Sequence, residues 1–111
     1  MTSPVYEVHL TLGTEADLEA LHAYLAEHRS IEEADSLLDN LLKKIGSLER
    51  FPERGAVPKE LASLGIREFR QILLGPYRLI YKVSAATVYA MVIADGRRDM
   101  QALLEARLLA S

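Results

Sequence analysis

The sequence contains no cysteine, which excludes disulfide cross-links, thiolate zinc sites and thiol nucleophiles. It has no apolar run near the roughly 20 residues that a helix needs to cross a bilayer, and its start lacks the basic and apolar regions of a secretory signal. It also lacks the basic excess of proteins that bind nucleic acid through its phosphates, because the net charge is −3. These absences predict a cytoplasmic protein with no membrane partner, and they argue against nucleic acid as its main partner.

The chain is long enough for one compact domain. It has 111 residues, half of them apolar, so we expect residues 1–111 to form a single domain. Residues 5–12 alternate apolar side chains with Glu7, His9 and Thr11, which is the period of a strand with one buried face. The first strand is therefore predicted there.

Two helices are predicted next from their capping residues and their leucine spacing. Thr14 begins a weak capping box and a helix over 14–28. Ser30 opens a full capping box before a broad apolar stripe, so the second helix runs from there to about Arg50. One or two residues separate the helices, which should pack as an antiparallel hairpin. The stretch that follows the second helix is expected to be irregular, because it contains a glycine and Pro58.

Three strands are predicted in the second half of the chain, over 66–74, 77–83 and 87–94. Their joins are short, so they read as antiparallel hairpins. The last of them is apolar on both phases and should be central. A short helix follows, with Asp99 as its candidate cap. The order β-α-α-β-β-β-α predicts an α+β domain with helices packed against one small, mainly antiparallel sheet.

The turn at Gly75 and Pro76 sets a register in which Leu74 lies opposite Tyr77. In that register one sheet face is predicted to be core, and the other to be half open. The core face carries Ile72, Leu74, Tyr77, Leu79, Tyr81 and Val83, and the half-open face carries Arg67, Phe69, Gln71, Arg78, Ile80 and Lys82. We therefore expect the Arg78 side chain to project from a rigid element toward solvent.

Arginines cluster on and beside these strands, where Thr, Ser or Lys would normally occupy the wet face. The five are Arg67, Arg70, Arg78, Arg97 and Arg98. Guanidinium groups recognise anions and partner carboxylates well, so these residues form a candidate target-binding or anion-binding face. They can equally be solvated surface charge, and Arg98 can instead pair with Asp99 or Glu68 and brace its turn.

No metal or cofactor site is predicted. His22 and His28 lie six residues apart on one helix, which rotates them to opposite sides, and no carboxylate completes a ligand set with His9. The glycines are isolated turn residues and do not form a phosphate loop.

Six short blocks of the sequence, spread over nearly the whole chain, form a recognisable series. They are Tyr6-Glu7-Val8, Ala16-Asp17-Leu18, Leu48-Glu49-Arg50-Phe51-Pro52, Ile66-Arg67-Glu68-Phe69, Gly75-Pro76-Tyr77-Arg78-Leu79-Ile80-Tyr81 and Gly96-Arg97-Arg98-Asp99. In this order they resemble the RelE/ParE superfamily of type II toxin–antitoxin toxins. The resemblance implies a RelE/ParE-like fold and a small bacterial toxin that a cognate antitoxin holds inactive, in a complex that can be a hetero-oligomer. RelE-like relatives cleave messenger RNA in the ribosome, whereas ParE-like relatives inhibit DNA gyrase.

The ribonuclease activity needs groups that transfer protons as well as cations at the phosphate. By resemblance, Arg78 and Arg98 match the phosphate-contacting arginines of RelE-like enzymes. The lysines of those enzymes fall at Phe69 and Gln71, and their C-terminal tyrosine falls at Leu104. Lys82 remains as a stand-in for the missing groups.

Within this resemblance, the missing proton-transfer groups favour the ParE-like activity, a gyrase inhibitor that is not an enzyme. The alternatives are a RelE-type ribonuclease acting on ribosome and messenger RNA, and a non-toxic relative that keeps only antitoxin binding. The leucine-rich C-terminus is more apolar than one short helix needs, so Leu104 and Leu108 are candidate antitoxin contacts.

Overall fold

A computed structural model describes residues 5–109 and confirms the α+β class, with four strands in the order β1-β4-β3-β2. β4 is central as predicted, parallel to β1 and antiparallel to β3. The elements are β1 Glu7–Leu10, α1 Leu12–His28, α2 Ile31–Gly46, a 3₁₀ turn Ser47–Glu49, α3 Lys59–Ala62, β2 Phe69–Leu74, β3 Tyr77–Ser84, β4 Thr87–Asp95, α4 Met100–Leu104 and a π-helical turn Glu105–Leu109. No helix within 5–109 is long and apolar enough to span a membrane.

The helical hairpin forms as predicted, but α1 begins earlier than expected. Thr11 is its N-cap, because its Oγ1 accepts a hydrogen bond from the Thr14 amide at 3.3 Å. The predicted cap Thr14 is instead buried inside the helix, and its hydroxyl donates to the Ala90 carbonyl of β4 at 2.7 Å. Ser30 caps α2 as predicted, since its Oγ accepts from the Glu33 amide at 3.0 Å.

The predicted register of the β2–β3 hairpin is confirmed, with Leu74 opposite Tyr77. Gly75 has φ +65°, a conformation that favours glycine in this turn. The β3–β4 pair contains a bulge: Ile80 pairs with Val92 while Tyr81 pairs with Ala90, so Met91 is an extra residue in β4. Through the bulge, Val88, Ala90 and Ile93 share one core, while Val92 and Ala94 belong to a second core on the opposite face, so both phases of β4 are apolar.

One sheet face packs against the helical hairpin, as predicted. Its core joins Leu18 of α1 and Leu41 and Ile45 of α2 to strand residues such as Leu79 and Tyr81. The opposite face is also covered, so the expectation that it is half open is wrong. There Leu61 of α3 and Met100 and Leu104 of α4 pack on Phe69, Ile80, Val92 and Ala94.

Helix α3 explains this error. It has four residues and lies in the stretch that was expected to be irregular, and so short a helix carries no readable apolar period. Its single anchor is Leu61, which is fully buried. Leu61, together with Met100 and Leu104 of α4, thus covers a face that strand alternation left open.

The loop over 51–58 is fastened across the edge of β2. The Gly55 amide donates to the buried Tyr81 hydroxyl at 3.0 Å, and burial raises the pKa of that hydroxyl. Arg70 donates to the Glu53 and Gly55 carbonyls at 3.0 and 2.8 Å. Arg70 is therefore occupied in holding the loop.

Candidate functional site

Arg78 is enclosed, so the prediction that its side chain projects to solvent is wrong. Its side chain is 11% exposed and forms a two-pronged ion pair with Glu60 of α3, each Nη donating to one carboxylate oxygen at 2.8 Å. Its Nε donates to Gln71 Oε1 at 2.8 Å, and Nη2 contacts the same oxygen. Every nitrogen of this guanidinium is thus used inside the protein.

The cause lies in helix α3, which closes over the sheet face that carries Arg78. Glu60 follows Pro58 and Lys59 at the start of α3, and Leu61 fixes the helix by burial. The carboxylate of Glu60 is held against the guanidinium as a result. Lys82 on the same strand is also paired, with Nζ at 3.1 Å from Glu68 Oε2 and 5.9 Å from the Phe69 ring centroid.

The Arg78–Glu60 pair predicts a specific acid sensitivity. The hydrogen bonds from Arg78 lower the pKa of the Glu60 carboxyl from 4.5 to about 2. Because the folded-state pKa is the lower one, the stabilisation is complete above about pH 4.5 and is lost as the pH falls toward 2. Its size is at most about 3 kcal/mol.

We therefore expect Glu60→Gln to flatten the dependence of unfolding free energy on pH between about 2 and 4.5. Urea unfolding at a series of pH values measures it. Glu19→Gln, at an exposed position of α1, is the matched control and should follow the unsubstituted chain. An unchanged slope in Glu60→Gln would mean that the ion pair does not form in solution.

The remaining arginines divide into paired and unpaired groups. Arg97 is 87% exposed, but its Nε and Nη2 donate to the two oxygens of Asp95 at 3.0 and 2.7 Å, which lowers the pKa of that carboxyl to about 2. Arg67 and Arg98 are exposed and have no side-chain hydrogen bond or ion pair within residues 5–109. Of the five predicted residues, these two are the ones that present a free guanidinium.

The alternative that Arg98 braces its turn by pairing with Asp99 or Glu68 is wrong. Asp99 caps α4, accepting from the Ala102 amide at 3.1 Å, as predicted for a capping residue. Glu68 is occupied by Lys82. The Arg98 backbone is nevertheless fixed, since its amide donates to the Asp95 carbonyl at 3.1 Å.

Arg97 and Arg98 border a surface cleft between α1 and the open end of the β3–β4 hairpin, which is the end away from its turn. Two adjoining depressions of about 240 and 470 Å³ share Leu21, Tyr24 and Asp95 in their walls. Arg98 lines the smaller depression and Arg97 the larger one. The sequence predicted the two arginines but not the α1 wall, because α1 contributes it from about 70 residues away.

The C-terminal turn is held by a second ion pair that the sequence did not predict. Arg107 donates to both oxygens of Asp17 on α1 at 2.8 and 3.2 Å, and Asp17 also accepts from the Ile93 amide at 3.0 Å. Gly13 leaves room for this arginine, since a Cβ there would collide with the guanidinium. The only signal of this contact in the local sequence is Gly13, a glycine one helical turn before Asp17.

Leu104 does not fit its expected role as an antitoxin contact. It is fully buried in the core under α4, so its side chain offers no surface. Leu108 is partly buried and packs on the same core. Within 5–109 no three His, Asp or Glu side chains converge as a metal site would require.

Comparison with known proteins is consistent with this architecture. The family "ParE toxin of type II toxin-antitoxin system, parDE" matches residues 8–100. Two solved structures share the fold: the chromosomal ParDE toxin–antitoxin system from P. aeruginosa, and the RelBE2 toxin–antitoxin complex from Mycobacterium tuberculosis. No curated protein matches the chain significantly.

The likeness to these structures extends over most of each chain. The ParDE chain is 16% identical with a TM-score of 0.71, and the match covers 84% of this chain and 98% of that one. The RelBE2 chain is 20% identical with a TM-score of 0.60, covering 85% and 94%. At these low identities the TM-scores establish the RelE/ParE-like fold alone, and the family match over residues 8–100 spans most of the sequence. The chain belongs to the ParE toxin family of type II toxin–antitoxin systems.

Proposed function

We propose that this protein is a growth-inhibiting toxin of the cytoplasm, that it acts by inhibiting DNA gyrase, and that a cognate antitoxin neutralises it in a toxin–antitoxin complex. The single observation that carries the choice of target is the enclosure of Arg78. A ribonuclease of the RelE type needs this arginine at the phosphate of its substrate. Here its guanidinium is bonded to Glu60 and Gln71.

The candidate proton-transfer residues also argue against a ribonuclease. Lys82, the stand-in for the RelE lysines, forms an ion pair with Glu68. Tyr81 is buried on the opposite sheet face with its hydroxyl bonded to Gly55. A gyrase inhibitor requires only a complementary protein surface, which the exposed Arg97 and Arg98 beside the α1 cleft supply.

Purified protein should block the ATP-dependent supercoiling of relaxed plasmid by gyrase. The same preparation, added to ribosomes stalled on a message, should leave that message intact by primer extension. Cuts at codon boundaries in the message, with supercoiling unaffected, would reverse the assignment in favour of the ribonuclease.

Growth tests the toxin assignment separately from the target. Induced expression of the chain should stop bacterial division. Co-expression of its cognate antitoxin should restore growth, and the antitoxin should co-purify with the toxin. Normal growth at a confirmed high level of folded protein would instead identify a relative that has kept the fold and lost toxicity.

A further inference from the structure

The cleft between α1 and the end of the β3–β4 hairpin has an unbalanced charge. Asp95 is neutralised by Arg97, and Asp17 at the other end by Arg107. Arg29 at the far rim forms an ion pair with Glu33 at 3.2 Å. Arg98 is the lining cation that has no carboxylate within residues 5–109. The cleft is thus complementary to one added carboxylate.

An exposed aromatic side chain stands beside this cation. Tyr24 is 60% exposed, and its ring stacks on His28 with the centroids 4.2 Å apart. The floor of the depression includes Ile93 and Ala94, whose side chains are nearly buried. Tyrosine and arginine around an apolar floor are the residue types that dominate binding energy in protein interfaces.

These features favour a protein segment over nucleic acid as the occupant. Phosphate backbones bind surfaces with several uncompensated cations, whereas this cleft has one and also presents Asp17 and Asp95. The chain as a whole carries a net charge of −3. A segment with an apolar side chain next to a carboxylate would pack on the apolar floor and the Tyr24 ring, and its carboxylate would pair with Arg98.

We propose that this cleft is the surface by which the toxin binds gyrase, and that it receives a gyrase segment in which an apolar side chain lies next to an aspartate or glutamate that pairs with Arg98. The inference rests on the proposed function and deepens it. Arg98 and Tyr24 are the residues that bind the segment. Arg97 pairs with Asp95, so Asp95 does not compete with the gyrase carboxylate for Arg98.

The test measures the protein concentration that halves supercoiling by purified gyrase. Arg98→Glu should raise it about tenfold or more, because the variant places a carboxylate against the gyrase carboxylate. Arg50→Glu, which makes the same charge change at an exposed arginine that does not line the cleft, should stay within about twofold. Tyr24→Ala should also raise the concentration about tenfold, while Phe51→Ala, at an aromatic side chain that is 62% exposed, should not.

The possible outcomes distinguish a failure of the proposed function from a failure of the cleft assignment. If the unsubstituted protein leaves supercoiling unaffected, the proposed function fails and this inference fails with it. If it inhibits gyrase and Arg98→Glu inhibits equally well, only the cleft assignment is overturned. If Arg98→Glu still inhibits gyrase but escapes rescue by the antitoxin, the occupant is the antitoxin and the gyrase assignment of this surface is overturned. Thermal unfolding of each variant verifies that it is folded.

Discussion

Arg78→Ala should lower the free energy of unfolding by about 2–4 kcal/mol, because it leaves the enclosed carboxylate of Glu60 without its partner. Both side chains of the pair are only 11% exposed, so solvent cannot replace the lost bonds fully. Gln71 loses its hydrogen-bond donor at the same time. Urea unfolding at neutral pH measures the change.

A matched control and a double replacement separate this explanation from a general loss of charge. Arg67→Ala removes an exposed arginine of the same region and should change stability by no more than about 0.5 kcal/mol. Combining Arg78→Met with Glu60→Leu should cost less than Arg78→Ala alone, since no buried charge then remains. If Arg78→Ala were as mild as Arg67→Ala, Arg78 would be exposed in solution and available to a ligand.

Asp17→Ala should be the second strongly destabilising change, at about 2–3 kcal/mol. It removes the acceptor of the Ile93 amide and the partner of Arg107 together. Because Arg107 ties the C-terminal turn to α1, amide hydrogen exchange over 100–109 should accelerate more than exchange in α2.

Two further variants serve as controls for Asp17→Ala. Asp17→Asn retains an oxygen for the Ile93 amide and should lie between Asp17→Ala and the unsubstituted chain. Asp39→Ala, at an exposed position of α2, should be nearly neutral. Uniform acceleration of exchange across the whole chain in Asp17→Ala would show that the contact supports global stability and not the C-terminal turn.

Most of the fold was predictable because its signals are local. Ser30 and the leucines after it define α2, and the turn at Gly75 fixes the β2–β3 register. The alternation along β3 identified the face that packs on the helical hairpin. In each case the relevant neighbours lie within a few residues along the chain.

The candidate site was less predictable because its contacts are distant in sequence. Arg78 and Glu60 are 18 residues apart, and Asp17 and Arg107 are 90 apart. Strand alternation assigns a side chain to a face, but it cannot say whether another element covers that face. Arg78 was therefore assigned to the correct face and the wrong environment.

The extra residue Met91 has a consequence for how motifs of this kind are compared. Strict alternation counted from Ala90 would place Asp95 on the sheet face away from Tyr77, but the extra residue shifts the count and Asp95 lies opposite Tyr77. A chain of equal length without the bulge would therefore direct the end of this strand, and the Gly-Arg-Arg segment after it, toward the other face. A comparison of such motifs must therefore take account of a bulge five residues before the glycine.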